Sequence, residues 1–214
     1  MENLDVAHHL GAVSRSVKSL VMDGVPAKAV ILARNYDTDL EDLWDAMTNP
    51  ERLPRWFLPV SGDLKLGGTY QLKGNAGGSI TECQAPTFLA VTWEMQGQVS
   101  WVDVRLEKVD STRTRFTLTH TAPVSDFWTT YGPGAVGIGW ELGLLGMALY
   151  IAYPDEPKID ENEFGISPEG QSLIRGSSDG WCLASIADGT PRGEAEAAAR
   201  RTTAFYTGTE VEPE

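Results

Sequence analysis

Three ionisable side chains stand at positions where the surrounding pattern is apolar. His120 follows two apolar residues at the two-residue spacing of one strand face, and Glu82 follows Ile80 in the same way. Glu141 interrupts a long apolar stretch. Burying an imidazole or a carboxylate is costly unless the group is paired or hydrogen-bonded, and burial displaces its pKa. The pattern therefore indicates polar contacts for a ligand, or a general acid and base, inside the protein.

Each of these three residues also has a structural interpretation. His120 would be a hydrogen-bonded core histidine at the end of a strand, which the sequence favours over a catalytic role. Glu82 would pair with Arg34 or another basic side chain. Glu141 would face solvent in the first turn of a helix, where an acid suits the helix dipole. No catalytic residue can be assigned from this pattern.

The other residues of the sequence that could do chemistry, and their spacing, argue against a metal ion, a bound cofactor or a serine nucleophile. His8 and His9 are adjacent and point in different directions on a helix, and Cys83 and Cys182 lie far apart in the sequence. No Gly-x-Ser-x-Gly segment follows a predicted strand, as a nucleophile elbow requires. The glycine-rich segment 74–78 precedes no predicted helix and lacks the lysine of a P-loop. We expect no metal site and no cofactor.

The net charge and the composition of the chain limit the kinds of molecule that we expect it to bind. The 214 residues include 30 acidic and 17 basic side chains, which gives a net charge of −13. Such a field repels phosphate backbones and anionic lipids, so neither nucleic acid nor a membrane surface is an expected partner. The hydrophobic fraction of 42% is enough for a core. The two cysteines form no disulfide framework, which indicates a cytoplasmic protein.

The segment 134–153 is apolar and long enough to suggest a membrane span. It contains Gly139 and Gly143 at the spacing known from membrane helix pairs. The flanking sequence argues against a span, because Asp155 and Glu156 follow it before the first basic residue, Lys158, and no lysine or arginine lies between Arg115 and the segment. The segment is therefore predicted to be a buried helix of the core.

Near residue 60, the spacing of apolar residues along the sequence changes from that of a helix to that of a strand. Apolar residues at helical spacing, ending at Asp23-Gly24, predict an N-terminal helix. Short turn-like connections between the later strands predict an antiparallel meander. The predicted helices cover residues 4–22, 40–48, 50–54, 135–152, 168–175, 178–187 and 192–206. The predicted strands cover residues 29–36, 63–73, 78–83, 88–95, 99–109 and 114–121.

A series of local motifs stands in a fixed order along the chain. The motifs are ARNY (33–36), LWDAMTNPERL (43–53) with Trp56, GG (67–68), GSITE (78–82), LAVTW (89–93), VDVRL (102–106), TRFTLTH (114–120) and GW (139–140). In this order they resemble the helix-grip, START-like (SRPBCC) superfamily, and more narrowly a bacterial branch related to the C-terminal domain of the activator of the heat-shock-protein ATPase. The resemblance covers roughly residues 28–152.

The resemblance implies an α+β, helix-grip fold. A curved antiparallel sheet of about six strands would surround a long C-terminal helix, with extra helices at both ends of the chain. We expect an N-terminal helix over residues 1–26, the helix-grip domain over 27–153, and a linker with a helical extension over 154–214. The extension is expected to pack on the domain, because its apolar residues are too many for a solvated tail.

The fold implies a cavity between the sheet and the long helix, lined by bulky apolar side chains and a few polar ones. Strand parity places Trp101 on the opposite, outer side. The expected ligand-binding residues are Leu43, Trp44, Met47, Trp56, Phe57, Tyr70, Glu82, Trp93, Phe116, Leu118, His120, Glu141, Leu144 and Met147.

Three functions fit this cavity, since fold does not determine function. The favoured one is binding of a small hydrophobic or aromatic molecule. The second is a polyketide cyclase-like or hydrolase-like enzyme acting in the same cavity. The third is a co-chaperone-like interaction module, which is weakened by the short sequence before the first predicted strand. A homodimer is a further possibility, and the sequence leaves open whether the C-terminal helices cover the cavity or a partner.

Overall fold

The computed structural model describes residues 4–209, so the ends of the predicted first and last segments, 1–3 and 210–214, lie outside the described residues. The strands are β1 (Val13–Met22), β2 (Val25–Tyr36), β3 (Val60–Gly62), β4 (Thr69–Leu72), β5 (Gly77–Gln84), β6 (Phe88–Met95), β7 (Gln98–Lys108) and β8 (Thr114–Pro123). The helices are α1 (Val6–Gly11), α2 (Leu40–Thr48), a 3₁₀ turn (Leu53–Arg55), α3 (Asp126–Tyr131), α4 (Gly134–Ala152), α5 (Glu161–Ile166), α6 (Pro168–Ala187) and α7 (Arg192–Thr207).

The strands form one open antiparallel sheet, in the order β1-β2-β8-β7-β6-β5-β4-β3. Together with the long helix α4, this sheet confirms the predicted α+β, helix-grip fold. The sheet has eight strands, so the expectation of about six was wrong. Strand β1 was missed. Of the predicted strand over 63–73 only Thr69–Leu72 (β4) is a strand, and β3 (Val60–Gly62) lies before it, because the chain turns tightly at Gly67-Gly68.

The chain divides into two compact units. The first contains the residues up to Leu32, Pro123–Leu142 and the residues from Ile159 onward. The second contains Ala33–Ala122 and Gly143–Lys158. Strand β2 and helix α4 therefore contribute residues to both units.

The N-terminal helix predicted over residues 4–22 is wrong for most of its length. Only Val6–Gly11 is helical, and Val13–Met22 is strand β1. Asp23 and Gly24 have φ angles of +50° and +81°, which form a two-residue hairpin turn between β1 and β2. An Asp-Gly pair is a strong hairpin signal, but the apolar spacing before it led to its interpretation as a helix end.

In the second unit, the C-terminal half of α4 packs closely on its neighbours. The Tyr36 hydroxyl donates a 3.0 Å hydrogen bond to the carbonyl oxygen of Leu144. A Cβ atom at Gly146 would lie 2.6 Å from the carbonyl oxygen of Trp56, so only glycine permits this approach. Helix α4 is long and apolar enough to cross a membrane, but a core helix passes the same test. The close packing supports its prediction as a core helix.

In the first unit, α6 and α7 pack together and against the N-terminal half of α4. Trp181 of α6 is fully buried against Gly137, where a Cβ atom would lie 2.2 Å from its ring. The Tyr206 hydroxyl of α7 donates to the carbonyl oxygen of Ala135. The predicted helices over 168–175 and 178–187 are one continuous helix, because Gly176 admits a side chain of α1 without interrupting it.

Candidate ligand site

The central strands of the second unit present one continuous face, here called the inner face. Val91 of β6 pairs with Val102 of β7, which pairs with His120 of β8. Directly paired residues of an antiparallel sheet point to the same side. The inner face of these strands therefore carries Leu89, Val91, Trp93, Ser100, Val102, Val104, Leu106, Phe116, Leu118 and His120.

The side chains of the inner face are not equally buried on the three strands. On β7 and β8, the inner residues from Val102 to Leu106 and from Phe116 to His120 are buried. On β6, Leu89, Val91 and Trp93 are only half-buried, although Leu89 and Val91 pair with the buried Val104 and Val102; the partner of Trp93, Ser100, is itself half-buried. The protein's own side chains therefore leave the inner face of β6 incompletely covered.

His120 lies on the inner face, as strand parity predicted. It is buried, and burial lowers the pKa of its imidazole from 6.5 to about 4. Its ring is 6.0 Å from that of Trp93, measured between centroids. The imidazole is therefore neutral at neutral pH and forms part of an apolar surface.

Ser100 is the polar partner that the sequence interpretation missed. Its Oγ atom lies 2.8 Å from Nε2 of His120 and donates a 3.1 Å hydrogen bond to the carbonyl oxygen of Trp93. When the single hydroxyl proton of Ser100 is donated to the carbonyl oxygen of Trp93, Nε2 of His120 is the donor to Oγ, in the tautomer that carries its proton on Nε2. The alternation of Ser100 with Val102 and Val104 was the signal that could have placed it on this face.

The predicted apolar residues of the second unit are mostly buried. Leu43, Trp56, Tyr70, Phe116, Leu118, Leu144 and Met147 are buried, whereas Trp44, Met47, Phe57 and Trp93 are half-buried. Trp56 and Phe57 stack with ring centroids 5.5 Å apart. The Tyr70 hydroxyl is already used, since it donates a 2.7 Å hydrogen bond to the carbonyl oxygen of Thr92. A role of these side chains in ligand binding stays a prediction.

The expected inward position of Glu82 is wrong. The pairing of β5 with β6 shifts by one residue between Ile80 and Glu82, so that Glu82 pairs with Ala90 instead of an inner-face residue. A β-bulge of this kind reverses the side to which the following residues point. Glu82 is exposed, and its Oε1 atom accepts a 2.5 Å hydrogen bond from Gln84.

Glu141 is buried in the first unit, but as one half of an ion pair. Its two carboxylate oxygens accept hydrogen bonds of 2.7 and 2.6 Å from Nε and Nη2 of Arg15. The alternative in which it faces solvent is therefore wrong, and its role as a ligand-binding residue stays a prediction. The helix predicted over residues 4–22 gave no indication of Arg15 as the partner of Glu141. A bidentate ion pair of this kind is a structural contact.

Among residues 4–209, no group of three or more histidine, cysteine or acidic side chains is arranged to hold a metal ion. The two cysteines are not bonded to each other. The chemistry available at the inner face is thus that of an apolar surface with one hydrogen-bonded polar pair, His120 and Ser100.

The chain is similar in sequence to one known protein family. The family model described as Activator of Hsp90 ATPase homolog 1-like protein matches residues 37–144, half of the chain. The chain belongs to this family. The family match confirms the resemblance drawn from the local motifs, and it places the chain in the helix-grip superfamily. A comparison with curated protein sequences finds no significant match.

Solved structures extend the likeness beyond the region of the family model. The solution structure of CalU16 from Micromonospora echinospora is 29% identical and has a TM-score of 0.69. The match covers 83% of this chain and 97% of CalU16. It therefore includes elements outside residues 37–144, so helices beyond the activator-like domain are a shared feature.

Two further structures share the fold at lower identity. A conserved protein of unknown function from Enterococcus faecalis, EF2215, is 14% identical, with a TM-score of 0.59 and coverage of 84% of this chain and 95% of that one. DynU16, a protein of the dynemicin biosynthetic locus, is 16% identical, with a TM-score of 0.53 and coverage of 62% of this chain and 50% of that one. At these identities the likeness concerns the fold alone.

Proposed function

We propose that the protein binds a small, uncharged, hydrophobic or aromatic ligand in the second unit, against the inner face of β6. The observation that carries the proposal is the half-exposure of Leu89, Val91 and Trp93 beside the buried inner residues of β7 and β8. Covering these apolar side chains removes their surface from water, which is the main driving force for binding an apolar molecule.

The polar pair at the end of this face supports recognition of a hydroxyl group. The Oγ atom of Ser100 has two lone pairs, and His120 uses one of them. The second lone pair can accept a hydrogen bond from a ligand. Beside it, the ring of Trp93 offers a flat apolar surface. An aromatic ring carrying one hydroxyl group matches both features.

The same contact weighs against nucleophilic catalysis. A serine nucleophile donates its proton to the neighbouring histidine. When Ser100 donates to the carbonyl oxygen of Trp93, His120 is the donor towards Ser100 in the tautomer protonated on Nε2. The imidazole is thus not placed as a base for this hydroxyl, and binding is favoured over a cyclase-like or hydrolase-like reaction.

The proposal can be tested with 1-naphthol and naphthalene, which differ by one hydroxyl group. We expect both to bind saturably, and naphthol to bind more tightly by about fivefold, since one hydrogen bond contributes about 1 kcal/mol. Ser100→Ala should abolish this preference, whereas Trp93→Ala should weaken the binding of both probes. Native mass spectrometry of protein from its own host would identify the natural ligand.

Trp101→Ala is the matched control. Trp101 lies on the neighbouring strand, paired with Thr92 and therefore on the opposite face from Trp93. Its removal should leave both affinities unchanged. An equal loss in the two tryptophan variants, or the absence of saturable binding in the unmodified protein, would refute the proposal.

A further inference from the structure

The second unit also carries a polar groove at the end of the sheet formed by β3, β4 and β5. Its volume is about 340 Å³. The residues that line it are Ser61, Gly62, Thr69, Tyr70, Gln71, Gly78, Ser79 and Glu94. Hydroxyl, amide and carboxylate groups predominate, in contrast to the apolar inner face of β6.

Strand pairing places the polar side chains of the groove on one side of the sheet. Ser61 pairs with Gln71, and Thr69 pairs with Ser79. Gln71 and Glu94 both pair with Gly77. Because paired residues and alternate residues point to the same side, all five polar side chains share a face. This face is opposite to the inner face, so the groove is separate from the site proposed above.

Three hydroxyl groups in the groove are available for a ligand. Within the described part of the chain, the side-chain hydroxyls of Ser61, Thr69 and Ser79 form no hydrogen bond with the protein. Each can donate one hydrogen bond and accept two. Gln71 is held in place, because its Nε2 atom donates to the carbonyl oxygens of Leu72 and Asn75. Its amide oxygen is left as an acceptor.

The carboxylate of Glu94 is oriented by a chain of hydrogen bonds. The backbone N–H of Ser79 donates to Oγ1 of Thr92 over 2.9 Å, and that hydroxyl donates to Oε1 of Glu94 over 2.8 Å. The other carboxylate oxygen can then accept from a ligand. Glu94 itself lines the groove, and its charge adds to burial in raising the pKa of Tyr70.

Two glycines allow the strands of the groove to approach closely. Gly62 and Gly78 have φ angles of +131° and +152°. A Cβ atom at Gly62 would lie 2.2 Å from the carbonyl oxygen of Thr69, and one at Gly78 would lie 2.2 Å from that of Thr92. The absence of side chains at these positions leaves backbone and hydroxyl groups as the floor and walls.

We propose that this groove binds the hydroxyl-bearing face of a saccharide. A sugar ring presents several hydroxyl groups that both donate and accept, which matches three unpaired protein hydroxyls, an amide oxygen and an oriented carboxylate. An apolar ligand would leave these groups without partners at a cost in binding free energy. An anionic ligand would be repelled by Glu94 and by the net charge of −13.

The test uses two trisaccharides, cellotriose and the glucosamine trimer, titrated into the full chain and followed by amide chemical shifts in NMR spectra. We expect shifts at residues 61–62, 69–71, 78–79 and 94. A response to the glucosamine trimer alone would still support the proposal, because an amino group adds attraction to Glu94. The absence of shifts at these positions with either trisaccharide would overturn it.

Two variants and two matched controls distinguish the groove from general surface effects. Thr69→Val removes a groove hydroxyl and Glu94→Gln removes the carboxylate charge, and each should weaken binding by about fivefold to tenfold. Thr117→Val and Glu82→Gln make the same changes on β8 and β5 outside the groove and should have no effect. Equal effects of groove and control variants would contradict the proposed site. Amide spectra of each variant confirm that it is folded.

Discussion

Nε2 of His120 lies 2.8 Å from Oγ of Ser100, within hydrogen-bonding distance, and the two residues stand on neighbouring strands of the inner face. This hydrogen bond explains how His120 can be buried among apolar side chains, because a neutral imidazole with a hydrogen-bond partner avoids most of the free-energy cost of burial. The same bond aims the hydroxyl of Ser100 at the carbonyl oxygen of Trp93. The pair is therefore suited to hold a hydrogen-bonding ligand rather than to transfer protons.

His120 should make the stability of the protein depend on pH. Burial lowers its pKa from 6.5 to about 4, so the unfolded chain binds a proton at a higher pH than the folded protein. The contribution of the neutral imidazole is present above pH 6.5 and is lost as the pH falls from 6.5 to about 4. Over this window, the free energy of unfolding should fall by about 3 kcal/mol more in the unmodified protein than in His120→Leu. Urea unfolding at a series of pH values measures the difference, and parallel pH profiles would contradict it.

Substituting only one partner of the ion pair between Arg15 and Glu141 should strongly reduce the free energy of unfolding. The side chains are only 11% and 4% exposed, so removing one partner leaves the other charge buried. Arg15→Leu and Glu141→Leu should each destabilise the protein by about 3–5 kcal/mol, and the double variant should lose much less than the sum. A double-mutant cycle of urea unfolding measures the coupling. Additive effects of the two substitutions would show that the pair is not coupled.

Much of the fold could be predicted from the sequence, because strand periodicity survives wherever one face of the sheet is buried. Strand β6 was predicted with its observed bounds, and the inner positions of β7 and β8 followed from simple alternation. The N-terminal strand could not be recognised in this way. Val13 and Val17 are its only buried residues, and a four-residue spacing fits a helix as well as a strand.

The site was predictable only in part, because two of its features depend on contacts that no local pattern encodes. A single extra residue between Ile80 and Glu82 turns Glu82 outward, and nothing in the strand's composition marks the bulge. The partner of Glu141 lies 126 positions away in the sequence. Ser100 carries no charge and so did not stand out among the apolar residues of β7, although its alternation with valines places it on the inner face.

The assignment of β1 can be tested at Ser16, an exposed position in that strand. Thr has a higher strand propensity than Ala, whereas Ala has the higher helix propensity. Ser16→Thr should therefore be more stable than Ser16→Ala by about 0.5–1 kcal/mol, measured by urea unfolding. The opposite order of stability would indicate the helix that the spacing of apolar residues first suggested.

Two glycines of α4, three residues apart, should respond in opposite ways to alanine. At Gly146, a Cβ atom would lie 2.6 Å from the carbonyl oxygen of Trp56, and backbone cannot move aside as a flexible side chain can. At Gly143, a Cβ atom would lie 3.5 Å from the ring of Phe57, which is an ordinary contact distance.

Gly146→Ala should therefore destabilise the protein by about 1–3 kcal/mol, through a forced separation of α4 from the segment that carries Trp56. Gly143→Ala should be neutral or stabilise by up to about 1 kcal/mol, because alanine is the better helix former. Thermal and urea unfolding of the two variants measure the difference. Since both substitutions add one methyl group to the same helix, equal effects would show that the close approach at Gly146 does not govern how α4 packs.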